Sequence, residues 1–210
     1  MITAMIGFST CKSGEKAQES KGKELITADK SEVLKPENFE VTLPNSEDTL
    51  TVKAKIPADW IRNLDFGAVV FQPADYADYF YPPTIHYEIS CSGSCDPKAI
   101  PGNIEKNIRG IKDTLARPNI NTGDPELDAI RATVEVITEE KFSEDGWIFA
   151  AAVTYPEQLS KALYIPTFVV HTFRHHPGDG FFIHITARAS LDKKEELLPV
   201  LRDACKETNY

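Results

Sequence analysis

The stretch FVVHTFRHHPGDGFFIHITARASLDKKEELLPVLRDAC, residues 168–205, carries the strongest structural signal of this 210-residue chain. Two runs rich in β-branched and aromatic residues flank HPGDG, whose glycines supply the positive φ angles that a tight turn needs. In the predicted pairing His171 lies directly across from His184, on the wetter face of the hairpin. Leucines at helical spacing follow at once and predict a terminal amphipathic helix, which either begins or kinks at Pro199.

Earlier segments show the alternation of apolar and polar residues that is typical of strands. The predicted strands are FEVTLP (39–44), TLTVKAKIP (49–57), GAVVFQP (67–73) and TIHYEIS (84–90), followed by a hairpin made of RATVEVITEEKFS and WIFAAAVTYP. One long helical pattern starts after Pro101 and ends at Pro118. Because short turns join neighbouring strands, the sequence predicts a two-layer α+β domain, an antiparallel sheet of about six to eight strands covered by two amphipathic helices.

This order of elements resembles the Mog1/PsbP-like fold, which includes bacterial lipoproteins of the DcrB and DUF1795 kind. The resemblance rests on FEVTLP, on the IPADW that closes the second strand, on the mid-chain helix and on the closing hairpin–helix unit, and it covers residues 39–210. It implies a non-enzymatic role in binding, chaperoning or assembly. The family shares no catalytic set, so the resemblance assigns no catalytic residue, and we expect no cofactor.

The charge balance excludes two classes of partner. The net charge of −9 argues against nucleic acid, whose phosphates require clustered Lys and Arg, and against direct adhesion to anionic lipid. No apolar run reaches the ~18 residues of a membrane span. Any contact with a membrane is therefore expected only through a lipid anchor.

The N-terminal stretch MITAMIGFSTCKSGEK resembles the tail of a lipoprotein signal, with Cys11 as the lipid attachment site. It lacks a basic n-region, and Thr10 stands where a small residue is expected, which is simply explained by a start codon further upstream. We assign residues 1–11 to a residual export signal, residues 12–37 to a flexible polar tether and residues 38–210 to a single domain. The expected location is the bacterial cell envelope, and the cytoplasm is the alternative.

The other three cysteines are expected to lie in an exported protein, where disulfides form. Cys91 and Cys95 form a CSGSC pair, and Cys205 lies in the predicted terminal helix. An exported protein disfavours exposed free thiols, so one bridge is expected. We favour Cys91–Cys95 because the two are close in sequence; a bridge from either to Cys205, or three reduced thiols, remains open.

Histidines in the last hairpin provide the one pattern that suggests chemistry. His171 and His184 lie within reach of a shared metal, with His86 on another strand as a third ligand. We do not expect such a site, because histidines on a wet hairpin face are usually solvated, and His175 and His176 beside the turn are expected at the surface. The chain also has no GxSxG, HExxH or GK[ST] motif.

Tyrosines are concentrated in DYADYFYPPTIHY, where Tyr76, Tyr79, Tyr81 and Tyr87 are candidates for a binding surface. The alternative is a loop folded over one end of the core. The sequence thus favours a non-enzymatic, lipid-anchored envelope protein that recognises a protein or a small ligand. A cytosolic adaptor or chaperone for secreted effectors, and a metal-dependent hydrolase built on the last hairpin, are the alternatives.

Overall fold

The structure is a computed structural model that describes residues 33–44, 46–63, 69–91, 95–117, 125–160 and 164–210. Cys11 and the tether up to residue 32 lie outside the described residues. The described strands are β1 (Leu34–Thr42), β2 (Thr49–Pro57), β3 (Trp60–Asn63), β4 (Val69–Pro73), β5 (Thr84–Ser90), β6 (Thr133–Ser143), β7 (Gly146–Thr154), β8 (Thr167–Arg174) and β9 (Phe182–Ser190). The described helices are α1 (Ile100–Ala116), α2 (Pro125–Asp128), α3 (Glu157–Ser160) and α4 (Lys194–Lys206), with 3-10 turns at Tyr76–Asp78 and Leu191–Lys193.

Seven strands form one antiparallel sheet in the order β3-β4-β5-β9-β8-β7-β6, and β1 and β2 form a separate hairpin. The sequence-based prediction of an α+β fold with an antiparallel sheet of six to eight strands and two main helices is confirmed. No described helix combines the length and the apolar character that crossing a bilayer requires.

The two main helices cover opposite faces of the sheet, which differs from the expected two-layer arrangement. On one face, Leu201 and Cys205 of α4 pack with the β1–β2 hairpin against Phe168 of β8. On the other face, Ile104 of α1 packs against Phe149 of β7. Because the central strands are buried on both sides, β7 is apolar along almost its whole length rather than alternating.

The last hairpin pairs two residues away from the predicted register. His171 lies opposite Thr186, and Phe173 lies opposite His184, so the two histidines are diagonal neighbours. The Asp179 N–H donates to the His176 carbonyl at 3.1 Å, and Gly178 has φ +100°, which together define a type II turn with Pro–Gly at its centre. A shift of two residues preserves the strand period, so the side chains of β8 and β9 keep their predicted faces.

Several boundaries also differ from the prediction. β1 begins at Leu34, inside the stretch assigned to the tether, because it pairs with β2 along its whole length and Lys35 Nζ donates to the Trp60 carbonyl at 2.9 Å. β3 was not predicted, since its four residues directly follow the turn after β2. Pro199 lies inside α4, which begins at Lys194. Pro199 has no N–H for the carbonyl of Glu195, and Glu195 is an exposed residue of the helix.

Candidate functional site

The loop between β4 and β5 presents aromatic side chains to solvent. Tyr76 is 39% exposed, Tyr79 37% and Phe80 75%. The loop makes a single 3-10 turn and then reaches Pro82 and Pro83, which direct the chain into β5. Large apolar side chains gain about 1.5–3 kcal/mol from full burial, so their exposure on one short loop makes this loop a candidate recognition surface.

Tyr87 does not belong to this surface, and its prediction as a binding residue is wrong. Its side chain is 1% exposed and makes edge contacts with Phe39, at 4.8 Å between ring centres, and with Phe71. Burial raises the pKa of its hydroxyl far above the ordinary value of 10.0. The cause is strand alternation, which directs Tyr87 into the core on the α4 side of the sheet.

Two adjoining cavities of about 270 and 250 Å³ lie between this loop and the start of α4. Both are lined by Tyr79, Pro83, Lys193 and Leu197. The larger cavity also takes in Phe80, Tyr81 and Ile165, and the smaller one takes in Val33, Trp60 and Pro73. We call the two cavities together the aromatic groove. Its second wall comes from α4 and from Ile165, far away in sequence, which no local pattern could reveal.

Tyr81 is oriented by a neighbouring arginine. The guanidinium carbon of Arg188, on β9, lies 5.4 Å from the centre of the Tyr81 ring, within the range of cation–π attraction. Arg188 also donates from Nε to the Thr84 hydroxyl at 3.3 Å. The loop is therefore connected to the sheet beneath it, and one of its tyrosines already binds a guanidinium group.

The histidines form a hydrogen-bonded row on the α1 face of the sheet. His184 Nδ1 lies 2.6 Å from a Glu88 carboxylate oxygen, and His184 Nε2 lies 3.0 Å from His171 Nδ1. The Thr186 hydroxyl lies 3.3 Å from both of these histidine nitrogens. Because a carboxylate only accepts hydrogen bonds, His184 donates through Nδ1, and in its neutral form it accepts a hydrogen bond at Nε2 from His171 Nδ1.

Burial controls the charge of this row. It lowers the pKa of His171 to about 3, with the nearby His184 as the second cause, so His171 is neutral at pH 7. Burial also lowers the pKa of His86. The hydrogen bond from His184 lowers the pKa of the Glu88 carboxyl, which is therefore ionised. The sequence prediction missed Glu88, although its place two residues after His86 on an alternating strand puts both on one face.

The row is packed as a structural network. The His171 ring stacks on Phe149 and the His184 ring on Phe173, at 6.2 and 4.5 Å between ring centres. His86 lies on the same face, opposite Thr186. Within the part of the chain that the structure describes, no three His, Cys, Asp or Glu side chains converge as metal ligands do. The sequence predicted that these histidines lie on the wetter face of the hairpin. That prediction is wrong for His171, which is only 9% exposed.

The cysteines and the hairpin turn meet on the α1 side. Cys91 and Cys95 are joined by a disulfide, and the Cys95 carbonyl lies so close to Gly180 that no Cβ fits there. His175, predicted at the surface, is 5% exposed, and its Nε2 lies 3.0 Å from the Asp179 carbonyl. Cys205 is free and buried in α4, where burial raises the pKa of its thiol to about 12.

No protein-family model matches the chain, and no curated protein sequence matches it. The chain is similar to the Saccharomyces cerevisiae Ran-binding protein Mog1p, with a TM-score of 0.48 and 7% identity over 83% of this chain and 96% of that one. It is also similar to cyanobacterial PsbP from Synechocystis, with a TM-score of 0.49 and 13% identity over 75% of this chain and 85% of that one. A third similar structure is LpqN, which is involved in cell envelope biogenesis of Mycobacterium tuberculosis. Its TM-score is 0.46, with 13% identity over 83% of this chain and 90% of that one.

These likenesses concern the fold alone. Mog1p and PsbP are the two proteins that give the expected fold its name, so the result agrees with the prediction of a Mog1/PsbP-like fold. At these identities and TM-scores they carry no argument about what the chain binds or where it acts.

Proposed function

We propose that this chain is a non-enzymatic binding protein of the bacterial cell envelope, anchored by a lipid on Cys11, which binds a partner protein through the aromatic groove. The observation that carries the proposal is the exposed loop above the two cavities, with Phe80 75% exposed at its tip. Aromatic side chains at the rim of a cavity are the usual anchors of protein recognition.

The histidine row supports a binding role over a catalytic one. Both nitrogens of His184 are occupied, one by Glu88 and the other by His171. A general base must reach a substrate proton through a free lone pair. The contacts of His184 therefore favour a role in the stability of the sheet over the hydrolase built on this hairpin.

The anchoring part of the proposal rests on the sequence around Cys11, where an apolar stretch precedes the cysteine and a polar stretch follows it. Intact mass spectrometry of the protein purified from membranes tests it. We expect a diacylglyceryl modification on Cys11 that is absent from Cys11→Ser. An unmodified Cys11 in protein from the soluble fraction would favour the cytosolic adaptor instead.

Photo-cross-linking in living cells tests the binding role. A benzoylphenylalanine is placed at position 80 in the full chain and, as a matched control, at position 136. Val136 is 47% exposed on β6, at the opposite edge of the sheet, so it offers an exposed apolar position away from the groove. We expect discrete adducts, identified by mass spectrometry, from position 80 only. No adduct from position 80, or the same adducts from both positions, would overturn the proposed groove function.

A further inference from the structure

We infer that the aromatic groove takes an extended, basic segment of its partner protein, with Lys or Arg side chains seated between the tyrosine loop and the start of α4. This inference rests on the proposed binding function and adds the chemical class of the bound segment. Three independent properties of the groove support it: its division into two cavities, the sign of its charges and the aromatic character of its rim.

The groove is divided in a way that suits an extended chain. Each cavity, at about 270 and 250 Å³, is smaller than the ~300–1,000 Å³ that a typical small-molecule site occupies. The cavities adjoin, since Tyr79 and Leu197 line both of them. Successive side chains of an extended peptide point in opposite directions, so residues two apart in sequence can fill two neighbouring pockets.

Acidic side chains dominate the charge of the groove. The carboxylates of Asp78 and Asp192 line the larger cavity, and those of Asp59 and Glu196 line the smaller one. All four of these residues are exposed. Among the residues that the structure describes, the one basic side chain that lines either cavity is Lys193, and its Nζ lies 3.5 Å from the Glu196 carboxylate. The groove is therefore electrostatically complementary to a cationic segment.

Two of these four acidic residues, Asp59 and Asp78, do not belong to the first turn of α4. Acidic residues in the first turn of a helix are stabilised by its dipole, which accounts for Glu196 in α4. Asp59 and Asp78 face the groove from other elements, the turn before β3 and the 3-10 turn of the tyrosine loop. Carboxylates from separate elements that converge on one groove indicate a shared ligand rather than a local structural need.

The aromatic rim favours guanidinium and ammonium groups. A cation over the face of an aromatic ring is attracted by the ring's quadrupole. The contact between Arg188 and Tyr81 shows that a ring of this loop already accepts a guanidinium group from its own chain. Tyr79 and Phe80 offer two further rings beside the carboxylates, at 37% and 75% exposure.

Peptide binding to the full-length protein tests the inference. The probe is a fluorescently labelled ten-residue peptide of alternating Arg and Pro, because proline favours extended conformations. A peptide with Glu in place of Arg is the control for charge. We expect saturable binding of the Arg peptide at low salt, loss of binding as the salt concentration rises, and no binding of the Glu peptide.

Substitutions then locate the binding on the protein. Asp78→Asn combined with Asp192→Asn is expected to weaken binding of the Arg peptide about tenfold. Glu135→Gln serves as the matched control, because Glu135 is exposed on β6 away from the groove, and it should leave the affinity unchanged. Equal affinities for the double variant and the wild type, or equal binding of both peptides, would overturn the inference.

The cross-linking experiment separates failure of this inference from failure of the proposed function. Adducts from position 80 that map to acidic or uncharged segments of the partner would contradict the basic segment and leave the binding function standing. Adducts that map to Lys- or Arg-containing segments support both. Absence of adducts from position 80 would remove the binding function itself.

Discussion

Lowering the pH should destabilise the protein through His171 in a way that one substitution removes. His171 has a pKa of about 3 in the folded protein, against an ordinary value of 6.5. Between these two pH values His171 is protonated in the unfolded chain but neutral in the folded protein. The free energy of unfolding therefore falls as the pH drops below 6.5. At pH 5 the gap to 6.5 is 1.5 pH units, which at 1.36 kcal/mol per unit is about 2 kcal/mol.

The assay is urea denaturation at a series of pH values, followed by the fluorescence of the two tryptophans, Trp60 and Trp147, which are both buried. His171→Gln is the comparison, because its amide can still donate to His184 and does not titrate. The substitution lowers stability at every pH, so the informative quantity is the loss between pH 7 and pH 5. We expect the wild type to lose about 2 kcal/mol more than the variant. Equal losses would refute the assignment of His171 as a buried neutral histidine.

Two pairs of substitutions test the packing. Gly180→Ala should destabilise the protein by about 1–3 kcal/mol, because a Cβ there would meet the Cys95 carbonyl, whereas Gly110→Ala, at a helix position with open space, should stabilise it by about 0.5–1 kcal/mol. Thermal or urea unfolding measures both, and equal effects would contradict the close approach at Gly180. Tyr87→Ala should cost about 3–5 kcal/mol and Tyr79→Ala less than about 0.5 kcal/mol in the same assay, since only Tyr87 is buried. Similar costs for the two would show that the tyrosine loop belongs to the core.

Most of the fold could be predicted from the sequence because several strands show the alternation of apolar and polar residues that is typical of a strand. β2 and β5 have the bounds that alternation predicted, and the last hairpin keeps its two faces despite the shifted register. The coverage of both faces was also encoded, since Trp147–Val153 is apolar without alternation, as a strand buried on both sides requires. The register itself depends on which residues of HPGDG form the turn, which composition does not specify.

Only one wall of the aromatic groove could be predicted from the sequence. The exposed tyrosines of the loop follow from its prolines and polar residues, and Tyr87 could have been assigned to the core from the alternation of TIHYEIS. The opposite wall of the groove comes from Leu197 and Lys193, more than a hundred residues later in the chain. Nothing in either segment alone indicates that the two meet, because the meeting depends on the order of strands in the sheet.

The central claim, that the aromatic groove binds the partner, is tested most directly by affinity. The partner identified by cross-linking is titrated against the full-length wild type, Tyr79→Ala/Phe80→Ala and Val136→Ala, and the dissociation constants are compared. Removal of two anchoring rings should weaken binding by about 30-fold or more, whereas Val136→Ala should bind as the wild type does. A double variant that keeps the wild-type affinity would contradict the account.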